Sequence, residues 1–474
     1  MVTTHQAGRL RVLTYLLSVL LALGMLVPGA GFAAAPTGQS QVQDTGAQTP
    51  IGGAMQPIQE AWELLLDRYA LPLDPADLAN AAEKGMYEAL KEAGVDNVAP
   101  GLGVLGNDRT QRLSALRQRF IALANRYADV LPPSELAYAA IRGMAESTDD
   151  THTNFMTPEQ YEEHVRWTRG DVSYGGIGAR MRGPQATVLE VFRDSPAERA
   201  GLRPGDTIVG VDGRSVVDLR LDEVVNLVRG PEGSPVVLDV QRSGSGVVDK
   251  LEVVRAQVAM PFVDSRRIGD VGYVQLRGFP EPSVIEGVEQ AILRLQRDGV
   301  RGIVLDLRGN GGGRLDVGTR LLARFVPDGP IYQAIDRRGR QETVNVRDAN
   351  PILTVPLAVL IDEGTASMGE IFAAAVQEHR IGRVLGATTA GSVAASVVVP
   401  LSDRSALQLS IEQVYSGGGV LLDREGVHPD EEITLDDADL RTGRDAQLER
   451  AVGYLQEQAA TPAAPAGPVA VGAR

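Results

Sequence analysis

Cysteine is absent from the 474 residues, which excludes disulfides, thiolate catalysis and Cys-ligated zinc and leaves the chain indifferent to an oxidising compartment. Lysine is almost absent. Of 46 basic residues only Lys84, Lys91 and Lys250 are lysines, so beyond residue 250 no side chain can serve as a lysine base or as the lysine of a phosphate loop. Positive charge is in deficit overall: the net charge of −15 repels phosphate backbones and acidic lipid headgroups and excludes nucleic acid as a partner. Long apolar runs are missing except for one, Val12 to Val27, broken at Thr14, Ser18 and Gly24 and shorter than the roughly 20 residues that cross a bilayer comfortably. Arg9 and Arg11 precede this run and Ala33-Ala34-Ala35-Pro36 follows it, the layout of a signal peptide over residues 1–35. The chain is therefore expected to be exported to the periplasm, the cell envelope or the extracellular space. If left uncleaved, the same segment would serve as a membrane tether.

What remains is ordinary for a soluble globular chain, with 43% hydrophobic and 23% charged residues. Its length allows about three domains. Residues 36–55, rich in Thr, Gln, Gly and Ser, read as a disordered tether, and residues 459–474, rich in Ala and Pro, as a disordered tail. Residues 56–169 carry a helical pattern with an internal duplication at a constant offset of 58: Arg68-Tyr69-Ala70 recurs as Arg126-Tyr127-Ala128, and Gly85-Met86 as Gly143-Met144. From about 170 to 258 short β-branched strands alternate with Gly and Pro turns. From 259 to 440 strands alternate with helices, which implies βαβ units and a largely parallel sheet, with Ile303-Val304-Leu305 as a central strand. A C-terminal helix is expected over 441–458.

Three glycine- or serine-bearing segments can carry chemistry. Gly175-Gly176-Ile177-Gly178-Ala179, directly before a strand, lets consecutive N–H groups face one concavity, which suits a peptide carboxylate. Asp306-Leu307-Arg308-Gly309-Asn310-Gly311-Gly312-Gly313 follows the buried strand and offers backbone donors to a developing oxyanion. Gly364-Thr365-Ala366-Ser367-Met368-Gly369-Glu370 places a serine at a helix start, although Ser367 and Glu370 also fit a capping box. No metal site or cofactor is expected.

With the downstream Asp194-Ser195-Pro196 segment and the amphipathic 221–228 stretch, the block 170–258 resembles a PDZ domain. From about residue 56 to residue 457 the chain resembles the C-terminal processing peptidases, or tail-specific proteases. That resemblance implies a multidomain α+β protein: a helical N-terminal region, a β-rich PDZ domain that binds the C-terminus of a protein or peptide substrate, and a crotonase-like, ClpP-like α/β protease core. It also implies Ser367 as nucleophile, in the family's Gly-Thr-Ala-Ser setting, and Gly312, Gly313 and Met368 as the oxyanion hole. Asp150-Thr151-His152-Thr153 resembles the family's Asp-Pro-His-Thr segment, and Gly426-Val427-His428-Pro429-Asp430 its Gly-Ile-x-Pro-Asp.

One departure is serious. Where the family carries its lysine base and a glutamine, this chain has Ser392 and Ser396, and a hydroxyl cannot take the nucleophile's proton near neutrality. Arg383 stays protonated, and His379 lies roughly 18 Å along the helix axis from Ser367. Glu370 reads as an exposed capping carboxylate with an ordinary pKa near 4.3. His152 remains, and it is similar in position to the histidine of a sister branch that includes tricorn-like proteases, whose glutamate falls near Glu425. Two readings stay open: a serine peptidase using Ser367, His152 and Glu425, and a silent relative that binds C-termini as an adaptor. A hydrolase for a non-peptide ester is a third.

Overall fold

The computed structural model describes residues 51–98, 101, 108–169, 173–182, 186–219, 221–259, 261–434 and 444–460. The expected signal peptide lies outside them, as do most of the expected tether and tail. Among the described residues no helix is long and apolar enough to cross a membrane.

Four helices, Ile51–Arg68, Pro75–Glu92, Arg109–Tyr127 and Pro133–Glu146, form the N-terminal bundle. Asp74 caps the second by accepting the Ala76 N–H, with Pro75 at its first position, and Asp108 caps the third through the Gln111 N–H. The first helix begins at Ile51, not beyond residue 55 as the polar composition suggested, because Ala54 and Met55 bury on the same face as Ile58 and Trp62. The duplication has a structural counterpart. Gly85 and Gly143 lie at the crossing of the second and fourth helices, where a Cβ on Gly85 would strike the Ala139 carbonyl and one on Gly143 the Ala81 carbonyl. Ala81 and Ala139 are themselves 58 positions apart, so the two hairpins pack by the same pair of contacts taken in both directions.

The 56–169 segment is not helical throughout. Asn154–Met156 pairs antiparallel with the long strand Ala406–Ser416, and Phe155, Leu401 and Leu407 complete the bundle's core. A further helix, Pro158–Thr168, is closed by a capping box between Thr157 and Gln160.

Next comes a sheet with the strand order 179–182, 187–191, 207–211, 235–241, 248–254, in which Ala179–Arg182 is an edge strand with its outer side unpaired among the described residues. The helix Leu221–Val228 packs with this sheet around Val224, Val228 and Leu238. The last domain holds a six-stranded sheet ordered 263–268, 271–276, 302–306, 357–361, 383–386, 431–432, parallel throughout except at its first strand. Gly302–Asp306 and Leu357–Ile361 are buried along their whole length. Helices Ser283–Arg297, Leu315–Leu322 and Met368–Glu378 contribute to the main core of this domain, while Ala446–Ala460 packs Ala451 and Leu455 against Tyr273, Val304 and Leu360 in a separate cluster. That last helix starts later than the expected 441 and runs two residues past 458.

Candidate active site

The buried strand Gly302–Asp306 delivers the glycine turn. Asp306 is fully buried and anchored by Arg308 and by the Tyr273 hydroxyl at 2.8 Å. Asn310 then ties the turn to its surroundings. Its Nδ2 donates to the Leu276 carbonyl (2.9 Å), its Oδ1 accepts the Gly312 N–H (2.8 Å), and its carbonyl accepts the Ala366 N–H (2.9 Å). Gly312, at φ 95°, consequently lies directly on the serine: a Cβ there would stand 2.6 Å from Ser367 Cβ and 2.9 Å from Met368 N. The structure thus brings Gly312, Gly313, Ser367 and Met368 together. It also shows the Gly312 N–H committed to Asn310, so that of the expected oxyanion set this donor is already engaged.

Ser367 sits between the strand Leu357–Ile361 and the helix Met368–Glu378, buried, at φ 53° and ψ −120°. A non-glycine residue in that region is strained by about 1–3 kcal/mol and persists only where its surroundings over-determine it. Here its N–H is shared between the Ser392 carbonyl (2.8 Å) and Glu370 Oε2 (2.9 Å).

Ser392, expected from the family resemblance at the position of a lysine base, lies on the loop that bonds the Ser367 N–H. Its Oγ lies 2.6 Å from Thr151 Oγ1 and 3.5 Å from His152 Nδ1. His152 is buried, with its backbone N–H donated to Asp150 (2.9 Å) and its Nε2 without a hydrogen-bond partner among the described residues. Burial depresses its pKa below the ordinary value, against the pull of Asp150. The histidine therefore reaches the loop that holds Ser367, rather than the Ser367 hydroxyl itself. Ser396, the second expected departure, accepts from Nε2 of Gln408 on the neighbouring strand (3.0 Å).

Glu425 does not join this group. It follows Arg424, whose φ of 67° and N–H bond to the Gly391 carbonyl turn the chain there, and its side chain is exposed. Nδ1 of His152 instead faces the Thr151 and Ser392 hydroxyls. The carboxylate of this segment that turns inward is Asp423, which accepts the Val393 N–H and whose pKa is raised by burial and by Asp150.

Glu370 also departs from expectation. It is fully buried rather than exposed. Oε1 accepts from the Thr389 hydroxyl (2.6 Å) and the Gly391 N–H (2.8 Å), and Oε2 from the N–H groups of Ser367 and Ser392 (2.9 and 3.0 Å). Burial pushes its pKa up to about 7 although all four bonds favour the charged form. The sequence signal was present in the Ser-x-x-Glu spacing but pointed only to a helix cap. Thr151 and Thr389 carried no signal.

Gly175 to Ala179 lead into the edge strand Ala179–Arg182, with Gly178 at φ 80° pressed against Ser195. That sheet docks on the core through Glu190, which pairs with the buried Arg277 and, at 3.7 Å, with Arg180. Arg277 also donates to the Pro261 carbonyl and to Gln275. Among the described residues no group of three or more His, Asp or Glu is placed to hold a metal ion.

A serine on a strained strand-to-helix turn with a glycine turn laid against it, in a chain that also carries a sheet edged by Ala179–Arg182, is the architecture of a serine peptidase with an added β-rich module. Residues 270–433 match the model of peptidase family S41, and residues 187–242 match that of a PDZ domain. A carboxyl-terminal-processing protease of Synechocystis sp. (strain ATCC 27184 / PCC 6803 / Kazusa) is 31% identical over 333 residues, which is 68% of this chain and 77% of that protein. The chain belongs to this family of S41 carboxyl-terminal-processing proteases. A probable CtpA-like serine protease of Staphylococcus haemolyticus (strain JCSC1435) is 29% identical over 333 residues, 69% of this chain, and the matched part spans 66% of that relative's length. Among solved structures, a photosystem II D1 C-terminal processing protease superposes with a TM-score of 0.50 at 26% identity, covering 83% of this chain and 98% of that one.

Proposed function

We propose that the protein is an exported serine endopeptidase that recognises the free C-terminus of a protein or peptide through its PDZ domain and cleaves peptide bonds with Ser367. The observation that supports this reading is the close approach of Gly312 to Ser367 and Met368, where an added Cβ would stand 2.6 and 2.9 Å from Ser367 Cβ and Met368 N. In this mechanism Ser367 Oγ attacks the scissile carbonyl carbon and gives up its proton. The carbonyl oxygen becomes an oxyanion held by the Gly313 and Met368 N–H groups, collapse of the adduct breaks the C–N bond as the amine takes that proton, and water, deprotonated in turn, cleaves the acyl-Ser367 ester and returns the hydroxyl. His152 is the proton carrier. Its Nε2 is the ring nitrogen without a partner among the described residues, while Nδ1 is turned to Ser392 and Thr151. Those hydroxyls orient the imidazole in place of Glu425. Apo catalytic contacts are often loose and tighten around substrate, which accommodates the gap between His152 and Ser367. Export rests on the layout of residues 1–35, which, if retained, would tether the enzyme to a membrane.

A second reading is favoured by Ser392 itself: the lysine position is filled by a hydroxyl already engaged with Thr151, so the core could have become a silent scaffold for C-terminus binding. A fluorophosphonate probe separates the two. Labelling at Ser367 supports the peptidase, and a folded protein that binds C-terminal peptides but takes no label establishes the adaptor.

A further inference from the structure

We propose that Glu370 is a positioning residue for Ser367, a buried carboxylate that fastens the strained turn of the nucleophile to the 389–392 loop. This role rests on the reading of Ser367 as nucleophile and deepens it.

A glutamate in a capping box ordinarily bonds the N–H of its own N-cap and lies at the surface. Glu370 does bond the N–H of Ser367, but three of its four bonds go to a separate stretch of chain, to Thr389, Gly391 and Ser392. The same stretch accepts the Ser367 N–H at the Ser392 carbonyl, so the turn and the loop are joined twice, once directly and once through the carboxylate. Among the described residues no Lys, Arg or His forms an ion pair with Glu370. Burying a carboxylate without a counter-ion is costly and is tolerated only where hydrogen bonds replace its hydration.

The donor pattern is specific. Three of the partners are amide N–H groups, which can only donate. The fourth, Thr389 Oγ1, already accepts the Val427 N–H at 2.6 Å, which leaves its own proton for Glu370. A carboxamide cannot reproduce this arrangement. In either orientation its NH2 would face an amide donor, that of Gly391 or those of Ser367 and Ser392. Glu370→Gln is therefore nearly isosteric yet breaks the connection, while Thr389→Val removes a single neutral partner.

The test uses the full chain, the rate of fluorophosphonate labelling at Ser367, cleavage of fluorescein-labelled casein, and hydrogen exchange of peptides covering 365–371 and 388–393. For Glu370→Gln the labelling rate and kcat should fall about 10- to 100-fold with KM within about threefold, the scale of losing one or two charge-assisted hydrogen bonds. Exchange should rise in both segments together and not in the bundle or the PDZ domain. Thr389→Val should show a smaller loss, under about fivefold. Labelling of Glu370→Gln at the wild-type rate, or exchange raised in the 365–371 segment alone, overturns the proposal. If Glu370→Gln does not fold, the wild-type protein still decides: slow exchange of the Ser367, Gly391 and Ser392 amides supports the proposal, and rapid exchange overturns it. A wild-type protein that takes no label defeats the nucleophile reading instead, and the exchange comparison still reads the Glu370 connection.

Discussion

Ser392 Oγ stands 3.5 Å from His152 Nδ1, with Thr151 Oγ1 closing the group at 2.6 Å from Ser392. Ser392, which the family resemblance leads one to expect where a lysine base would stand, is thus packed against the histidine proposed to act in its place. The pH dependence of cleavage follows from the burial of that imidazole. Its pKa lies below the ordinary 6.5, so the neutral form needed to accept a proton persists as pH falls through the usual histidine range, and activity should fail only at lower pH. A lysine base would instead place the limb on the alkaline side. His152→Ala should lower casein cleavage on the order of 10² to 10⁴, close to the loss in Ser367→Ala. A His152→Ala variant that cleaves like wild type removes the histidine from the mechanism.

Gly312 offers a sharper perturbation of the oxyanion hole than a donor deletion. At φ 95° with Ser367 Cβ 2.6 Å from the added atom, even alanine must displace the serine or the turn. Gly312→Ala should cut labelling and turnover by about 10² to 10³, the scale of one oxyanion donor. The melting curve of the same variant checks that the core still folds, and a folded variant with unchanged turnover would exclude the turn from catalysis.

The edge strand at Ala179–Arg182 and the Gly175 to Ala179 approach to it predict addition of a substrate C-terminus as an extra strand, with its carboxylate in the glycine loop. Peptides with an apolar last residue should bind as free acids and much more weakly as amides by fluorescence anisotropy. Equal binding of the two forms would place recognition elsewhere.

How far the sequence could be read depended on whether a signal was local. Periodicity located Leu221–Val228 and the buried strand around Ile303-Val304-Leu305, because burial on one face or both is written into consecutive residues. The glycine turn and Ser367 were legible for the same reason: strained backbone concentrates its signature in a few neighbouring positions. Glu370 was misread because its environment is supplied by Thr389, Gly391 and Ser392, about twenty residues away, and a Ser-x-x-Glu spacing is identical whether the carboxylate faces water or the core. Glu425 was expected from its place before Gly426 in the family resemblance, and that spacing does not show the turn at Arg424, after which its side chain is exposed.

The duplicated glycines make a prediction about stability. Gly85→Ala and Gly143→Ala each push a methyl group into a carbonyl of the opposing helix, Ala139 or Ala81. Each should destabilise the bundle by about 1–3 kcal/mol, typical of overpacking, and because the two contacts are related by the duplication the losses should be similar. Thermal melts of both variants check this. A loss confined to one of them would mean that the two hairpins do not share the packing equally.

The last prediction turns the elevated pKa of Glu370 into a stability profile. In the unfolded chain its carboxyl titrates near 4.5, and in the fold near 7, because burial outweighs four hydrogen bonds. Between those values the folded state holds a proton that the unfolded state has released. The stability associated with this proton is fully present below about 4.5, declines as pH rises and is lost above about 7. His152 works in the opposite sense: its pKa is depressed, so its contribution declines as pH falls below 6.5. Because the two slopes oppose each other over part of this range, the informative quantity is the difference between wild type and Glu370→Gln in urea unfolding from pH 4.5 to 7.5. Glu370→Gln lacks the titrating group, so the difference should change with pH at the rate of about one proton and become flat above 7. A difference that stays constant across the range would mean that the carboxyl is ionised in the folded protein throughout, its four donors outweighing the cost of burial.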